Sequence, residues 1–379
     1  MRHLMSLLSL VFLAVLLACG GGGSSAPPPT GRLTLRLGSD SFPGYVEAFV
    51  SIEKVEASMD GTHWTTLGTV QASYDLLALQ SGHSAQLVSS VEVTAGTYTQ
   101  FRLTWATVNY FRGQYQPAFV SFPKDIGIPL NMPPSMTTVV TGSINVPANG
   151  IATAQLMFSG QQAVQQRTAT GYAFQATGTV HDLNLSARIT GHLADPAGPL
   201  KGVEVFAETA DGLGVTSIQR RAFTDASGNY VLEGLPTGSV YFVAAQPSVT
   251  ASVYAAAAAT SVDARSATSY TADMAFSTPM APGSMTITIT PASLPNQGTW
   301  VELRQMLVTG PSEAQMLIVR SQPVVISATQ DQAGLTGLAP GSYGVTAQRS
   351  SSGGPATMKK GNTIMVDAIA PATTTLTFP

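Results

Sequence analysis

The sequence predicts an all-β chain built as tandem β-sandwich units behind an export signal. Three observations carry this. From Gly31 onward, apolar and polar residues alternate with period two in short runs rich in Val, Ile, Thr and aromatics. The 36 glycines and 24 prolines punctuate those runs, too few for a disordered or collagen-like chain but enough for many turns. Apolar residues make up 44% of the 379 residues, so each unit can fill a core.

Residues 1–18 begin with Met1, Arg2 and His3 and continue as an apolar run from Leu4 to Ala18, broken only by Ser6 and Ser9. That run falls short of the about 20 residues a bilayer span requires and reads as a signal peptide. Cys19 follows, then Gly20–Gly23, Ser24, Ser25 and Pro27–Pro29, so residues 19–30 form a flexible tether.

After the tether, Leu33, Leu35 and Leu37 share one strand face while Arg32, Thr34 and Arg36 share the other. Val46 to Val55 continues the pattern, and Asp60-Gly61 predicts a tight hairpin turn before Trp64. Gln100 to Trp105 and Ile151 to Phe158 read as further strands, with a hairpin at Arg112-Gly113. Helix is scarce. Asp75 can cap a short turn through Leu76, Leu77 and Leu79 that stops at Gly82, and Ala255–Ala259 has the propensity for a turn or two more.

The C-terminal half contains an internal repeat. Leu232-Glu233-Gly234-Leu235-Pro236-Thr237-Gly238-Ser239-Val240-Tyr241 recurs as Leu335-Thr336-Gly337-Leu338-Ala339-Pro340-Gly341-Ser342-Tyr343, and Val93-Thr94-Ala95-Gly96-Thr97-Tyr98 is a shorter echo. Boundaries near 186 and 282 give three units, 31–184, 185–278 and 283–379.

Chemistry is sparse. Only 10% of residues are charged, the net charge is -3, and no basic stripe is offered to phosphates, so nucleic acid is an unsuitable partner. Removing residues 1–18 leaves 17 basic and 21 acidic residues, a net charge of -4. A single cysteine excludes intramolecular disulfides and Cys-rich metal sites. Of His3, His63, His83, His181 and His192, no two stand at paired metal-ligand spacing, and neither a nucleophile elbow nor a phosphate loop is present, so no cofactor or metal is expected. Glu204 and Glu208 alternate with Val203, Val205 and Ala207 and read as solvated carboxylates. Asp225-Ala226-Ser227-Gly228-Asn229 reads as an Asx-type turn rather than a calcium loop.

One concentration suggests a binding surface. Trp105, Tyr110, Phe111, Tyr115, Phe119 and Phe122 place six of the 28 aromatic residues within 18 positions. Exposed rings there would stack on sugars or on a partner chain, whereas buried rings would be core.

Three resemblances follow. Leu16-Leu17-Ala18-Cys19 resembles a bacterial lipobox, with Leu17 larger than the usual residue; this implies acylation of Cys19 and membrane anchoring. Gly20 in place of the Asp that marks inner-membrane retention implies the outer membrane in a Gram-negative source. Gly31 to Leu37, Val50 to Glu56, Gly61 to Leu67, Asp75 to Gly82 and Ala95 to Leu103 resemble the DUF4382 family, common in bacterial lipoproteins; that family's usual turn after the first strand is replaced by Gly38-Ser39-Asp40-Ser41. Ile189 to His192, Leu200 to Val205, Thr224 to Tyr230 and Gly234 to Gly238 resemble the carboxypeptidase regulatory-like family, implying an Ig-like or prealbumin-like β-sandwich, of which 283–379 is a divergent copy.

The resulting expectation is a non-enzymatic envelope lipoprotein whose stacked β units bind glycan or protein. A structural spacer of the envelope is the alternative, and an uncharacterised hydrolase stands third.

Overall fold

The computed structural model describes residues 27–379 apart from 41–45, 108–117, 123–124, 160–162, 167–171, 175–176, 247, 250–251, 255–258, 294–296, 325–329 and 352–356. Cys19, Tyr110, Phe111, Tyr115 and the Arg112-Gly113 hairpin therefore lie outside the described residues, as does Ala255–Ala258. The chain is all-β, and its buried apolar residues gather in three clusters.

The first cluster is enclosed by a twelve-stranded sheet. Its strands are β1 Thr30–Ser39, β2 Glu47–Ser58, β3 Thr65–Asp75, β4 Ala85–Thr94, β5 Gly96–Trp105, β6 Ala118–Phe122, β7 Asp125–Asn131, β8 Thr137–Val146, β9 Ile151–Phe158, β10 Val164–Gln166, β11 Tyr172–Phe174 and β12 Gly178–Asp182. They pair in the order β10-β11-β7-β6-β2-β5-β8-β12-β9-β1-β4, with β3 on β2. Leu33, Leu35 and Leu37 are fully buried while Arg32 and Arg36 are exposed, so the period-two reading of β1 holds. The cap at Asp75 is also present: its carboxylate accepts the Leu77 N–H and starts a 3-10 turn, Leu76–Leu79. The Asp60-Gly61 link is longer than a tight two-residue turn. It is a loop between Ser58 and Thr65 in which Asp60 Oδ1 accepts the Thr62 and His63 N–H groups.

The second cluster lies between two sheets. The strands of this unit are β13 Ser186–Asp195, β14 Gly198–Pro199, β15 Glu204–Ala210, β16 Thr216–Phe223, β17 Asn229–Pro236, β18 Ser239–Ala245, β19 Ser248–Val249, β20 Ser252–Tyr254, β21 Ala259–Ala264, β22 Ser269–Thr271, β23 Met274–Ala275 and β24 Pro279–Met280, of which β19, β20 and β24 form a separate small sheet. One sheet centres on β13, with β17 antiparallel and β22 parallel to it; the other runs β16-β15-β18-β21. Ala259 opens β21, so the part of Ala255–Ala259 that is described is strand rather than helix. Asp225 Oδ1 accepts the Ser227 and Asn229 N–H groups, the Asx turn read from the sequence, and Gly228 supplies the left-handed backbone at φ 76°.

The third cluster repeats the second. Its strands are β25 Gly283–Thr290, β26 Gln297–Gly310, β27 Glu313–Pro323, β28 Asp331–Leu338, β29 Gly341–Ser351, β30 Thr357–Val366 and β31 Ala372–Thr377. β25 again takes one antiparallel neighbour, β28, and one parallel neighbour, β31, and the facing sheet runs β27-β26-β29-β30.

The repeated turn motif has a common structural purpose. Tyr98, Tyr241 and Tyr343 are all buried, and each hydroxyl donates back to the carbonyl of Thr94 (3.0 Å), Pro236 (2.6 Å) and Ala339 (2.8 Å) respectively. Each ring enters a core, and each hydroxyl satisfies a carbonyl of the turn that delivered it. Tyr343→Phe leaves the Ala339 carbonyl without this donor and is expected to cost about 1–2 kcal/mol in urea unfolding, with the slope unchanged.

Two seams join the three clusters. At the first, Ser81 Oγ accepts the Phe223 N–H (2.8 Å) and donates to the Phe223 carbonyl (2.9 Å), while Asp40 Oδ1 accepts the Arg221 N–H at 3.4 Å. At the second, both Glu208 oxygens lie 3.0 Å from the Ile318 N, and Thr216 Oγ1 donates to the Met316 carbonyl at 3.0 Å. Glu204 and Glu208 are thus not solvated: they are 4% and 0% exposed, because the third unit covers the face of β15 that alternation assigned to water. Glu204 pairs there with Arg221 at 3.2 Å.

Candidate binding groove

An open groove of about 580 Å³ lies beside β8. Its walls are the Asn131–Pro134 link, the Thr137–Thr141 half of β8, Ala173-Phe174 of β11, and Thr177-Gly178 leading into β12. The groove exists because β12 pairs with β8 only at Thr141 and Gly142, leaving the preceding half of β8 without a strand on that side among the described residues. Gly142 permits even this pairing, since a Cβ there would lie 2.3 Å from the Val180 carbonyl oxygen.

Aromatic packing fixes one wall. Phe174 is 2% exposed and meets the edge of Trp105 at 5.0 Å and 89°, and of Phe158 at 5.9 Å and 76°. The Trp105 indole N–H donates to Thr138 Oγ1 at 3.0 Å, so the floor of the groove and the core behind it are tied through one hydroxyl. Above them Val139 is 47% exposed. The described lining bears hydroxyl, amide, proline and aliphatic groups and no charged side chain, a surface suited to a neutral ligand.

This arrangement corrects the sequence reading of Trp105. It is 1% exposed and held by Phe158, Phe174 and Thr138, so the ring stacks inside the core and not on a ligand. Tyr110, Phe111 and Tyr115 lie outside the described residues, and for Phe119 and Phe122 only the backbone is described, in β6 beside β2. Sequence reasoning passed over Thr137–Thr141 and Asn131–Pro134. The signal available was Pro133-Pro134, which stops β7 and opens the space beside β8.

The other titratable groups do not converge on this groove. His63 is exposed, with Nδ1 at 2.6 Å from Asp60 Oδ2 and 3.1 Å from Thr62 Oγ1, so both neighbours meet the same ring nitrogen. His181 lies under Gly234 near Arg220, and burial, reinforced by the Arg220 charge, pushes its imidazole down to about 3. His181 Nε2 lies 2.5 Å from Thr179 Oγ1. Among the described residues no three His, Cys, Asp or Glu side chains come together in a way that could hold a metal ion.

Residues 30–176 match the family model described as Domain of unknown function (DUF4382), a stretch that holds the groove walls from Asn131 to Phe174 but not Thr177 and Gly178. Comparison with curated proteins gives no match. Among solved structures, the Streptococcal ancillary pilin is 9% identical, with 92% of this chain and 99% of that one covered and a TM-score of 0.19. The shaft pilin SpaA from Lactobacillus rhamnosus GG is 10% identical over 51% of this chain and 97% of its own, at a TM-score of 0.20. The minor pilin GBS52 from Streptococcus agalactiae is 16% identical over 51% and 97%, at 0.18.

The groove's dependence on its floor can be measured. Thr138→Val leaves the Trp105 N–H without its acceptor and is expected to cost about 1–3 kcal/mol on denaturation, with increased near-ultraviolet dichroism changes from Trp105. Trp105→Ala is expected to cost about 3–5 kcal/mol, the range for a large aromatic removed from a core.

Proposed function

We propose that this chain is a non-enzymatic envelope lipoprotein, held by acyl chains on Cys19, whose tandem β units present the groove beside β8 to a neutral glycan or an uncharged protein segment. The single observation that supports this reading best is the uncharged, hydroxyl-lined groove set on a rigid aromatic floor. Such a lining offers hydrogen bonds and aliphatic contact without the desolvation cost of a charge. The unit 185–278 is proposed as a carboxypeptidase regulatory-like sandwich and 283–379 as its divergent copy. The location proposed for a Gram-negative source is the outer membrane.

A specific observation favours the spacer as second reading. Trp105 belongs to the core and both seams are closed by hydrogen bonds, as a load-transmitting stack would need.

Two experiments separate these. Cys19→Ser is expected to abolish metabolic labelling with palmitate and to move the protein from the membrane to the soluble fraction; unchanged labelling removes the anchor. On a glycan and envelope-polymer array, wild type is expected to bind saturably. Val139→Arg, which places a charge at the exposed groove position, and the Tyr110→Ala/Tyr115→Ala double variant then distinguish the groove from the aromatic segment. Absence of binding by folded wild type favours the spacer.

A further inference from the structure

We propose that the seam between the second and third units is a proton-operated latch, closed when Glu208 is neutral and loosened when its carboxyl ionises. The argument begins with placement. Glu208 is 0% exposed, and its two oxygens face the N–H of Ile318 in the edge strand β27. The two elements belong to different cores, so this contact exists only while the seam is shut.

The neighbouring charges leave an ionised Glu208 uncompensated. Arg304 is the cation nearest to it in effect, and it is engaged elsewhere: Nη2 donates to Glu302 at 2.7 Å, and Nη1 to the Thr216 carbonyl and hydroxyl at 2.9 and 2.8 Å. Glu302 adds a second negative charge from β26. The Thr216 hydroxyl from β16 faces the same carboxyl, and β27 contributes the Ile318 amide. With Glu208 neutral, the Glu302–Arg304 pair balances; with Glu208 ionised, a buried cluster carries one net negative charge. Farther along β15, Glu204 faces Arg221 and also acts on Arg320 of β27. Burial accordingly pushes the Glu208 carboxyl up to about 7, against the opposing pull of the Ile318 amide, Thr216 and Arg304.

The sign follows from proton linkage. With the seam open, Glu208 meets water and ionises above its ordinary value of 4.5; closed, it keeps its proton to about 7. Between those limits the closed form holds one more proton, so raising the pH favours opening by about tenfold per unit, and above about pH 7 the effect levels off.

The test uses the full chain and amide hydrogen exchange at Ile318 between pH 5 and 8. The ratio of wild-type to Glu208→Gln exchange cancels the intrinsic pH dependence of the amide. It is expected to rise by about 40-fold from pH 5 to 7 and then flatten. A flat ratio overturns the latch, as does faster exchange in Glu208→Gln at pH 5, since a neutral side chain would then fail to hold the seam. A second measurement needs no variant: in wild type, protection at Ile318 is expected to fall over this window relative to Val345 in the core of the third unit, and parallel profiles overturn local opening.

Discussion

The architecture depends on satisfying the free edges of two strands. In a strand, alternate residues send their N–H and C=O groups to the same side, so an edge presents unpaired groups at i and i+2. In β16 these include Arg221 and Phe223, met by the Asp40 carboxyl and the Ser81 hydroxyl of the first unit. In β27 they include Met316 and Ile318, met by the Thr216 hydroxyl and the Glu208 carboxyl of the second. A carboxyl takes an N–H in both seams, and a hydroxyl takes a carbonyl two residues away. Side chains thereby do what an additional strand would do, and the edges are closed to other chains while the sandwiches remain separate sheets.

This solution places titratable groups out of water, and those groups respond to protons in opposite directions. At the first, Asp40 is driven upward by burial against the pull of Arg220 and Arg221, and His181 is held neutral by burial and by Arg220. The stabilising effect of keeping His181 neutral is present above its ordinary value of 6.5 and declines as pH falls toward about 3, because the exposed imidazole gains a proton first. At the second seam Glu208 reverses this dependence. Where the His181 and Glu208 windows overlap, acid opposes burial of His181 and favours burial of Glu208, so a global melting curve blends effects that residue-level exchange separates. Glu204, between Arg221 and the influence of Arg320, links the charges of the second and third units.

The sequence made the within-unit features readable because they are governed by neighbours in the chain. Leu33, Leu35 and Leu37 follow strand periodicity, Asp75 and Asp225 each accept N–H groups within four residues, and the tyrosine of each echo donates four or five residues back. The seams escaped for the opposite reason. Ser81 and Asp40 look like turn residues, and Glu208 looks like the polar half of an alternating strand, until partners 110 to 181 positions away are brought in. One signal was available: Phe206 shares the supposed solvent face with Glu204 and Glu208, and it is fully buried beneath Arg221. Trp105 misled for a related reason, since an aromatic at the end of a strand reads the same whether the next residues expose it or Phe158 and Phe174 enclose it.

The edge-capping logic also explains why the candidate groove stands where it does. Where strands of the second and third units end a sheet, β16 and β27 are capped by neighbouring side chains, and β30 carries Lys359 and Lys360 among exposed residues, a charge that deters pairing. In the first unit, Ser135 Oγ serves Thr137 locally, bonding its N–H and carbonyl at 3.3 and 3.1 Å. Beyond it, from Thr138 to Val140, the described surroundings supply the groove and no charged side chain. Among the described residues this recess is lined by no charged side chain, and its floor is fixed by Trp105 and Phe174.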